Sequence, residues 1–333
     1  MELHTIIMEI WEQEEMPREW KLGIIQPIYK KGDKQNCTNY RGITLLNVAY
    51  KVLSNIILKR LSLYSEKIIG EHQGGFRKVR GTIDQIFIVR QAMEKCLEHT
   101  TDLHMLLVDF KQAFDSIDTV KLINYMYEKG IPKKVVELIR MTFHEASAKV
   151  IVEGRCGSEF TLENGMRQGD AMSATLFNIA LPSVLENIAD EGHIVYKSKL
   201  ICAYADVVIL IARSEKTLKE IFTEMSIKAR KIGLEVNQGK TKYMIVTNNA
   251  KRRNNRKDLV IDEQIFEKVE TASYLGTEVY SRNVVSGEIQ KRLMAGNRAY
   301  YANLKAHKVK SNIDDHQSKA IPNIDSPCGY ICS

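Results

Sequence analysis

The spacing of apolar positions changes several times along the chain, and each change marks an element. In NVAYKVLSNIILKRL (47–61) apolar side chains recur at Ala49, Val52, Leu53, Ile56 and Leu61, which predicts a helix with a basic outer face. Ile86, Val89, Met93 and Leu97 form a second stripe and predict a helix over 84–97. The helical period then stops. HMLLVDF (104–110) is a short continuous apolar run, the pattern of a buried strand ending at Asp109. Beyond Gly130 and Pro132, VVELIRMTF reads as a helix and AKVIVEG (148–154) as a strand turning at Gly154. AMSATLFNIALPSVLENI (171–188) is an apolar helix interrupted by Pro182. LICAYADVVILIA (200–212) reads as two short strands joined by a tight turn, with Asp206 near it. KTLKEIFTEMSIKARKIG (216–233) carries the cleanest stripe, Leu218, Ile221, Phe222, Met225, Ala229 and Ile232, and stops at Gly233. TKYMIVT (241–247) is strand-like, a basic loop follows, and LVIDEQIFEKV (259–269) alternates as a hairpin does. A last helix over about 284–305 carries Ile289, Leu293, Gly296, Tyr300 and Leu304, after which periodicity is lost in an unstructured tail, 311–333. The irregular alternation of strands and helices predicts an α+β fold with a mixed or antiparallel central sheet.

Composition narrows the picture only a little. A length of 333 residues allows two or three structural units, and 44% hydrophobic with 27% charged residues is ordinary for a globular chain. No apolar run has bilayer length, and the acidic start MELHTIIMEIWEQEE is unlike a signal peptide. The expectation is an intracellular protein without membrane contact, with nucleus and cytoplasm both open. Cys37, Cys96, Cys156, Cys202, Cys328 and Cys332 show neither a CxxC pair nor metal-ligand spacing, so free thiols are expected. A net charge of +7 permits a polyanionic partner without demanding one. The basic runs 29–34, 76–82 and 250–257 each read first as solvated loops, and 250–257 also as a nuclear-localisation patch or a nucleic-acid contact.

The chemistry-bearing candidates are acids at strand ends. Asp109 closes one apolar strand and Asp206 sits at the turn of a two-strand unit. Two such positions converging on one sheet edge could share hard divalent cations, which take carboxylate oxygens. A pair of ions about 4 Å apart then clamps the attacking and leaving oxygens of an in-line displacement. Taken singly, an aspartate beside a strand is more often a turn former.

The surrounding motifs add a resemblance. PREWKLGIIQPIYKKGD and NYRGITLLN (17–47), GEHQGGFRKVRGTIDQIF (70–87), VDFKQAFDSI (108–117), GMRQGDAMSATLFN (165–178), AYAD (203–206), GLEVNQGKTKYM (233–244) and YLGTEV (274–279) stand in order. Together they resemble the reverse transcriptase domain of non-LTR (LINE-type) retrotransposons, from about Pro17 to about Leu304. The resemblance implies a right-hand polymerase fold, with fingers, palm and partial thumb and an antiparallel palm sheet packed on helices. It implies an N-terminal extension and fingers over 1–100, a palm over 101–247, the palm end with the primer grip over 248–283, and the start of a thumb over 284–310.

The same resemblance implies roles. Asp109 and Asp206 would be the catalytic carboxylates holding two Mg²⁺ ions, and Lys240 would protonate the leaving pyrophosphate. Phe114 would be the gate that rejects a ribose 2′-OH. Gln168 and Gly169 would line the nucleotide pocket, with Tyr204 of the turn motif also a nucleotide-binding position. Arg77 and Arg80 would hold the triphosphate, since a guanidinium fork suits phosphate oxygens. Asp115 reads as structural. The implied partners are an RNA template, a DNA primer and deoxynucleoside triphosphates.

Two departures from the family pattern stand out. Ala174 replaces a proline at a helix start. Val207 replaces the second aspartate of the turn motif and so removes a metal ligand. If that carboxylate stabilised the transition state by ~3–4 kcal/mol, the rate falls by about two to three decades. The fold should not suffer, because valine is a strong strand former. The expectation is therefore a folded polymerase of weak or absent activity. The alternative is a nucleic-acid-binding remnant that no longer polymerises, and an open reading frame without function is a third reading. The chain begins almost directly in the finger extension and its last helix resembles only the start of a thumb, which reads as a truncated or decayed element.

Overall fold

The computed structural model describes residues 2–188, 198–255 and 257–311. Two compact units divide the chain, Met1–Asn283 and Val284–Ser333.

The first unit opens with the helix Glu2–Gln13, then a hairpin of β1 (Leu22–Tyr29) and β2 (Tyr40–Leu45). The helix Val48–Ile68 follows, its first turn capped by the Asn47 side chain accepting from the Ala49 N–H. Next come the helix Thr82–Glu98 and β3 (Leu103–Asp109). The short helix Ala113–Ser116 and the helices Thr119–Glu128 and Lys133–Phe143 lead to β4 (Ser147–Val152), β5 (Arg155–Cys156) and β6 (Phe160–Thr161). Two short helices, Ser173–Ala180 and Pro182–Leu185, precede β7 (Lys199–Tyr204) and β8 (Val207–Ala212). After the helix Glu215–Lys231 come β9 (Lys242–Val246), the short helix Ala250–Asn254, β10 (Leu259–Ile261), β11 (Gln264–Lys268), β12 (Thr271–Tyr274) and β13 (Thr277–Tyr280). The second unit holds the helix Ser286–Ser311. The expected tail lies outside the described residues beyond Ser311, with Cys328 and Cys332 in it.

Six strands form the central sheet in the order β10-β11-β9-β3-β8-β7. Its heart is antiparallel, β3 pairing with β8 and with β9. The sheet is antiparallel-rich, as expected of a mixed or antiparallel sheet, with one parallel pair where β11 joins β9. The hairpin β10–β11 returns after the basic segment and lies along β9 in the same direction. That basic segment is also more than a loop, since Ala250–Asn254 is helical and capped by the Asn249 side chain.

The continuous apolar run of β3 has a plain cause. Leu106 and Val108 face one core, together with Val208, Leu210, Tyr243 and Ile245. Met105 and Leu107 face a second core, together with Ile209, Ile211, Met244 and Val246. Helices Val48–Ile68, Thr119–Glu128, Ser173–Ala180 and Glu215–Lys231 supply the first core. Helix Thr82–Glu98 and the hairpin β12–β13 supply the second. A sheet covered on both faces needs apolar residues at every position, so its strands do not alternate.

A second sheet runs β2-β1-β4-β5, with β6 also on β4, and β1–β4 is its parallel pair. Glu153 and Gly154 turn β4 into β5, both with positive φ. The four cysteines of the described residues form no disulfide; Cys37 and Cys156 are exposed, Cys96 and Cys202 buried.

Candidate polymerase site

β3 ends at Asp109, and the chain immediately beyond it is stitched to the segment before β9. The Asn237 N–H donates to the Asp109 carbonyl at 2.8 Å, and the Thr241 hydroxyl accepts the Asp109 N–H at 3.3 Å. Asp206 sits in the two-residue turn between β7 and β8, after Ala205, whose φ is +55°. Cross-strand register sets Val207 directly opposite Asp109. Opposed residues of an antiparallel pair share a sheet face, so the apolar replacement stands beside the first acid. Val207 packs against the second core rather than standing in solvent.

The electrostatics match a pair of adjoining carboxylates. The Asp206 carboxyl is pushed above the usual carboxylate range, first by burial and further by the charge of Asp109. Its own backbone hydrogen bond, Arg41 and Lys240 pull the other way. The Lys240 ammonium lies 3.4 Å from Asp109 Oδ2. Among the described residues no group of three His, Cys, Asp or Glu side chains could hold a metal ion. The donor set is therefore two carboxylates beside a lysine, chemistry that suits one hard divalent ion completed by water and phosphate oxygens.

The remaining candidates have partners of their own. Phe114 stacks on Phe177, with ring centroids 4.7 Å apart, and meets Phe76 edge-on at 6.5 Å. The Gln168 carboxamide donates to both oxygens of Asp115 at 3.2 Å, and burial raises the Asp115 carboxyl. Asp115 thus holds Gln168, in agreement with a structural reading of that acid. Gly169 has φ +128°, and a Cβ there would overlap the Thr44 carbonyl of β2. Gln168 accepts the Thr44 N–H at 2.6 Å, so this loop is fastened to the second sheet. Tyr204 ends β7, directly opposite Val207. Ala174 is the second residue of its helix, where a backbone N–H has no partner within the helix anyway, so losing a proline changes little.

The structure does not present Arg77 and Arg80 as the sequence suggests. Arg77 donates to Glu66 at 2.8 Å and to the carbonyls of Gly70 and Gln73, with only 7% of its side chain exposed. Arg80 is paired with Glu71. The reason is local: the chain turns after Gly70, and acids Glu66 and Glu71 lie beside the basic run. Two exposed cations elsewhere bear electrostatically on the acids. Arg41, on β2, acts on Asp206, and Lys30, just past β1, acts on Asp115. In the sequence, Lys30 lies in the basic run 29–34 and both residues in the 17–47 motif.

Comparison with known proteins follows the same lines. The family model "Reverse transcriptase (RNA-dependent DNA polymerase)" matches residues 28–279, well over half of the chain. The chain belongs to the reverse transcriptase family. The probable RNA-directed DNA polymerase from transposon X-element of Drosophila melanogaster is 24% identical over 299 residues, 86% of this chain and 32% of that protein. The RNA-directed DNA polymerase from mobile element jockey of the same species is 26% identical, over 61% of this chain and 22% of that protein. The transposon TX1 uncharacterized 149 kDa protein of Xenopus laevis is 22% identical, over 73% and 19%. This reverse transcriptase domain, of the non-LTR retrotransposon type, thus spans about a fifth to a third of the relatives it matches. In fold it is similar to apo telomerase from Candida tropicalis, with a TM-score of 0.56 at 14% identity, over 85% of this chain and 52% of that one. The right-hand polymerase architecture is that shared fold.

Proposed function

We propose that this reverse transcriptase domain is an RNA-directed DNA polymerase whose nucleotidyl transfer is impaired by Val207. The observation that carries the reading is the register that sets Asp109 opposite Val207 and one residue from Asp206. In the reaction the primer 3′-oxygen bonds to the α-phosphorus of a deoxynucleoside triphosphate, the α–β bridging P–O bond breaks, and pyrophosphate leaves. Asp109 and Asp206 would hold Mg²⁺, which supplies Lewis-acid stabilisation of the developing charge. Lys240 is placed to pass a proton to the leaving pyrophosphate. Arg41 and Lys30 meet the triphosphate, Phe114 excludes the ribose 2′-OH, and Gln168, Gly169 and Tyr204 border the nucleotide.

A second reading, a nucleic-acid-binding domain that no longer polymerises, is favoured by one observation. An apolar valine, not a third acid, stands opposite Asp109. Primer extension on an RNA template, in Mg²⁺ and in Mn²⁺, separates the two. The expected result is weak extension by the unsubstituted chain and a gain of about two to three decades for Val207→Asp, the equivalent of ~3–4 kcal/mol. Equal extension by both chains sinks the impairment. Salt-sensitive duplex binding with no extension by either chain supports the second reading. No helix among the described residues is long and apolar enough to cross a membrane.

A further inference from the structure

Gln73 is fully buried, at 0% exposure, and it is polar. A buried carboxamide is retained where it satisfies groups that would otherwise be left unpaired. Its partners are specific. Gln73 Oε1 accepts the Ala205 N–H at 3.1 Å and the Gly75 N–H at 2.8 Å, and Nε2 donates to the Ala205 carbonyl at 3.3 Å. One side chain therefore takes both backbone groups of the residue immediately before Asp206.

The backbone around Gln73 adds to this. The Ala203 N–H donates to the His72 carbonyl at 2.8 Å, and the Gly74 N–H donates to the Ala203 carbonyl at 2.8 Å. His72 to Gly74 thus lies beside β7 as a short parallel partner. Gly75 passes so close to the turn that a Cβ would overlap the Ala205 nitrogen. The carbonyl of Gly75 is held by Asn178 Nδ2 at 2.6 Å, so the segment is fastened from its other side as well.

The turn needs such a hold. Ala205 has φ +55°, a left-handed conformation that is unfavourable for a residue with a Cβ and persists only when surroundings enforce it. Asp206 is also pressed against a like charge in a partly desolvated place, so an unrestrained turn would relax by carrying that carboxylate outward. We infer that Gln73 is the positioning residue of the acid site, its carboxamide holding the Ala205 turn so that the Asp206 carboxylate stays beside Asp109. The inference rests on the reading that these two acids take a divalent ion, and it goes beyond that reading by placing the hold in a segment remote from both.

The test uses the whole chain and Mn²⁺ alone, titrated by electron paramagnetic resonance, with thermal unfolding as a control. Gln73→Leu, similar in size but unable to make the three bonds, weakens Mn²⁺ binding tenfold or more. Adding Ala205→Gly, which removes the cost of the left-handed turn, recovers at least threefold. A merely structural role would lower the unfolding temperature without this rescue. Asp206→Asn separates the two ideas: it abolishes Mn²⁺ binding if the acids hold the ion. If Asp206→Asn abolishes binding and Gln73→Leu leaves it unchanged, the positioning role fails while the metal reading stands. If Asp206→Asn changes nothing, both fail. Should Gln73→Leu not fold, hydrogen exchange in the unsubstituted chain decides. The Ala205 amide is protected at least a hundredfold over the unfolded rate, and an unprotected amide overturns the hold whatever the ion does.

Discussion

Val207 and Asp206 are neighbours in sequence and both half-buried, but one is apolar and the other a carboxylate. Asp206 has its carboxyl raised above the ordinary value near 3.8 by burial and by Asp109. A carboxyl raised in the native state binds its proton more tightly there than in the unfolded chain. Native stability therefore falls as pH rises from the ordinary value through the raised one, and is regained as pH falls. Asp206→Asn in EDTA is accordingly more stable than the unsubstituted chain at pH 7, and the gain shrinks toward pH 4. Thermal unfolding over that range reads it, and a gain that grows on acidification contradicts it. Val207 removes a third charge from this place and buries part of a valine instead. Val207→Asp in EDTA consequently loses about 1–2 kcal/mol of stability, from lost apolar burial and added repulsion. Mg²⁺ restores part of it if the three acids share the ion. Function and stability thus pull position 207 in opposite directions.

At the scale of elements, the site depends on fastenings between the two sheets. The loop Gln168–Gly169 is the plainest case, bonded to Thr44 of β2 and held by Asp115 from below β3. Asp170, the next residue, accepts from both Tyr50 and Ser54 of the helix Val48–Ile68, and its own helix start is bonded to it at Met172. Gly169→Ala places a Cβ at φ +128° against the Thr44 carbonyl. The expected cost is about 2 kcal/mol or more, seen in urea unfolding, with a matching loss of nucleotide binding. An alanine tolerated there without loss would mean that the loop is not fastened as described. Several elements around this junction were not legible in sequence. Leu22–Tyr29 contains Gly23, Gln26 and Pro27 and alternates poorly, because only Gly23 of its eight residues is buried. Tyr40–Leu45 is likewise half exposed with one buried residue, Thr44. Periodicity reports burial, and a hairpin with little burial leaves little period. The strands of the central sheet and the helix Glu215–Lys231 were legible for the opposite reason.

For the molecule as a whole, the net charge of +7 becomes meaningful only with the fold. The charges of Arg41 and Lys30, from the β1–β2 hairpin, lower the pKa values of Asp206 and Asp115 respectively. The basic runs 76–82 and 250–257, by contrast, are partly consumed internally. Arg77 is bonded to Glu66, Arg252 to Asp102, and Arg253 to the Thr247 carbonyl. Binding of an RNA–DNA duplex should therefore be salt-dependent yet modest in slope. Log affinity against log salt is expected to fall with a slope of about −3 to −6, some three to seven phosphates neutralised. Filter binding between low and moderate salt measures it, and a flat line removes nucleic acid from the list of partners.

What the sequence by itself determined is the order of the motifs, the two acids at apolar strand ends, and the valine beside the second. These are local properties, carried by residue type and short-range pattern. What only the tertiary structure decided is which groups meet the acids. Gln73 lies 132 positions from Ala205 yet takes both of its backbone groups. Arg77 and Arg80 are paired with Glu66 and Glu71, which the turn after Gly70 brings within reach of that basic run. Such pairings arise from the packing of two sheets, and a linear pattern holds no record of distances between elements remote in the chain.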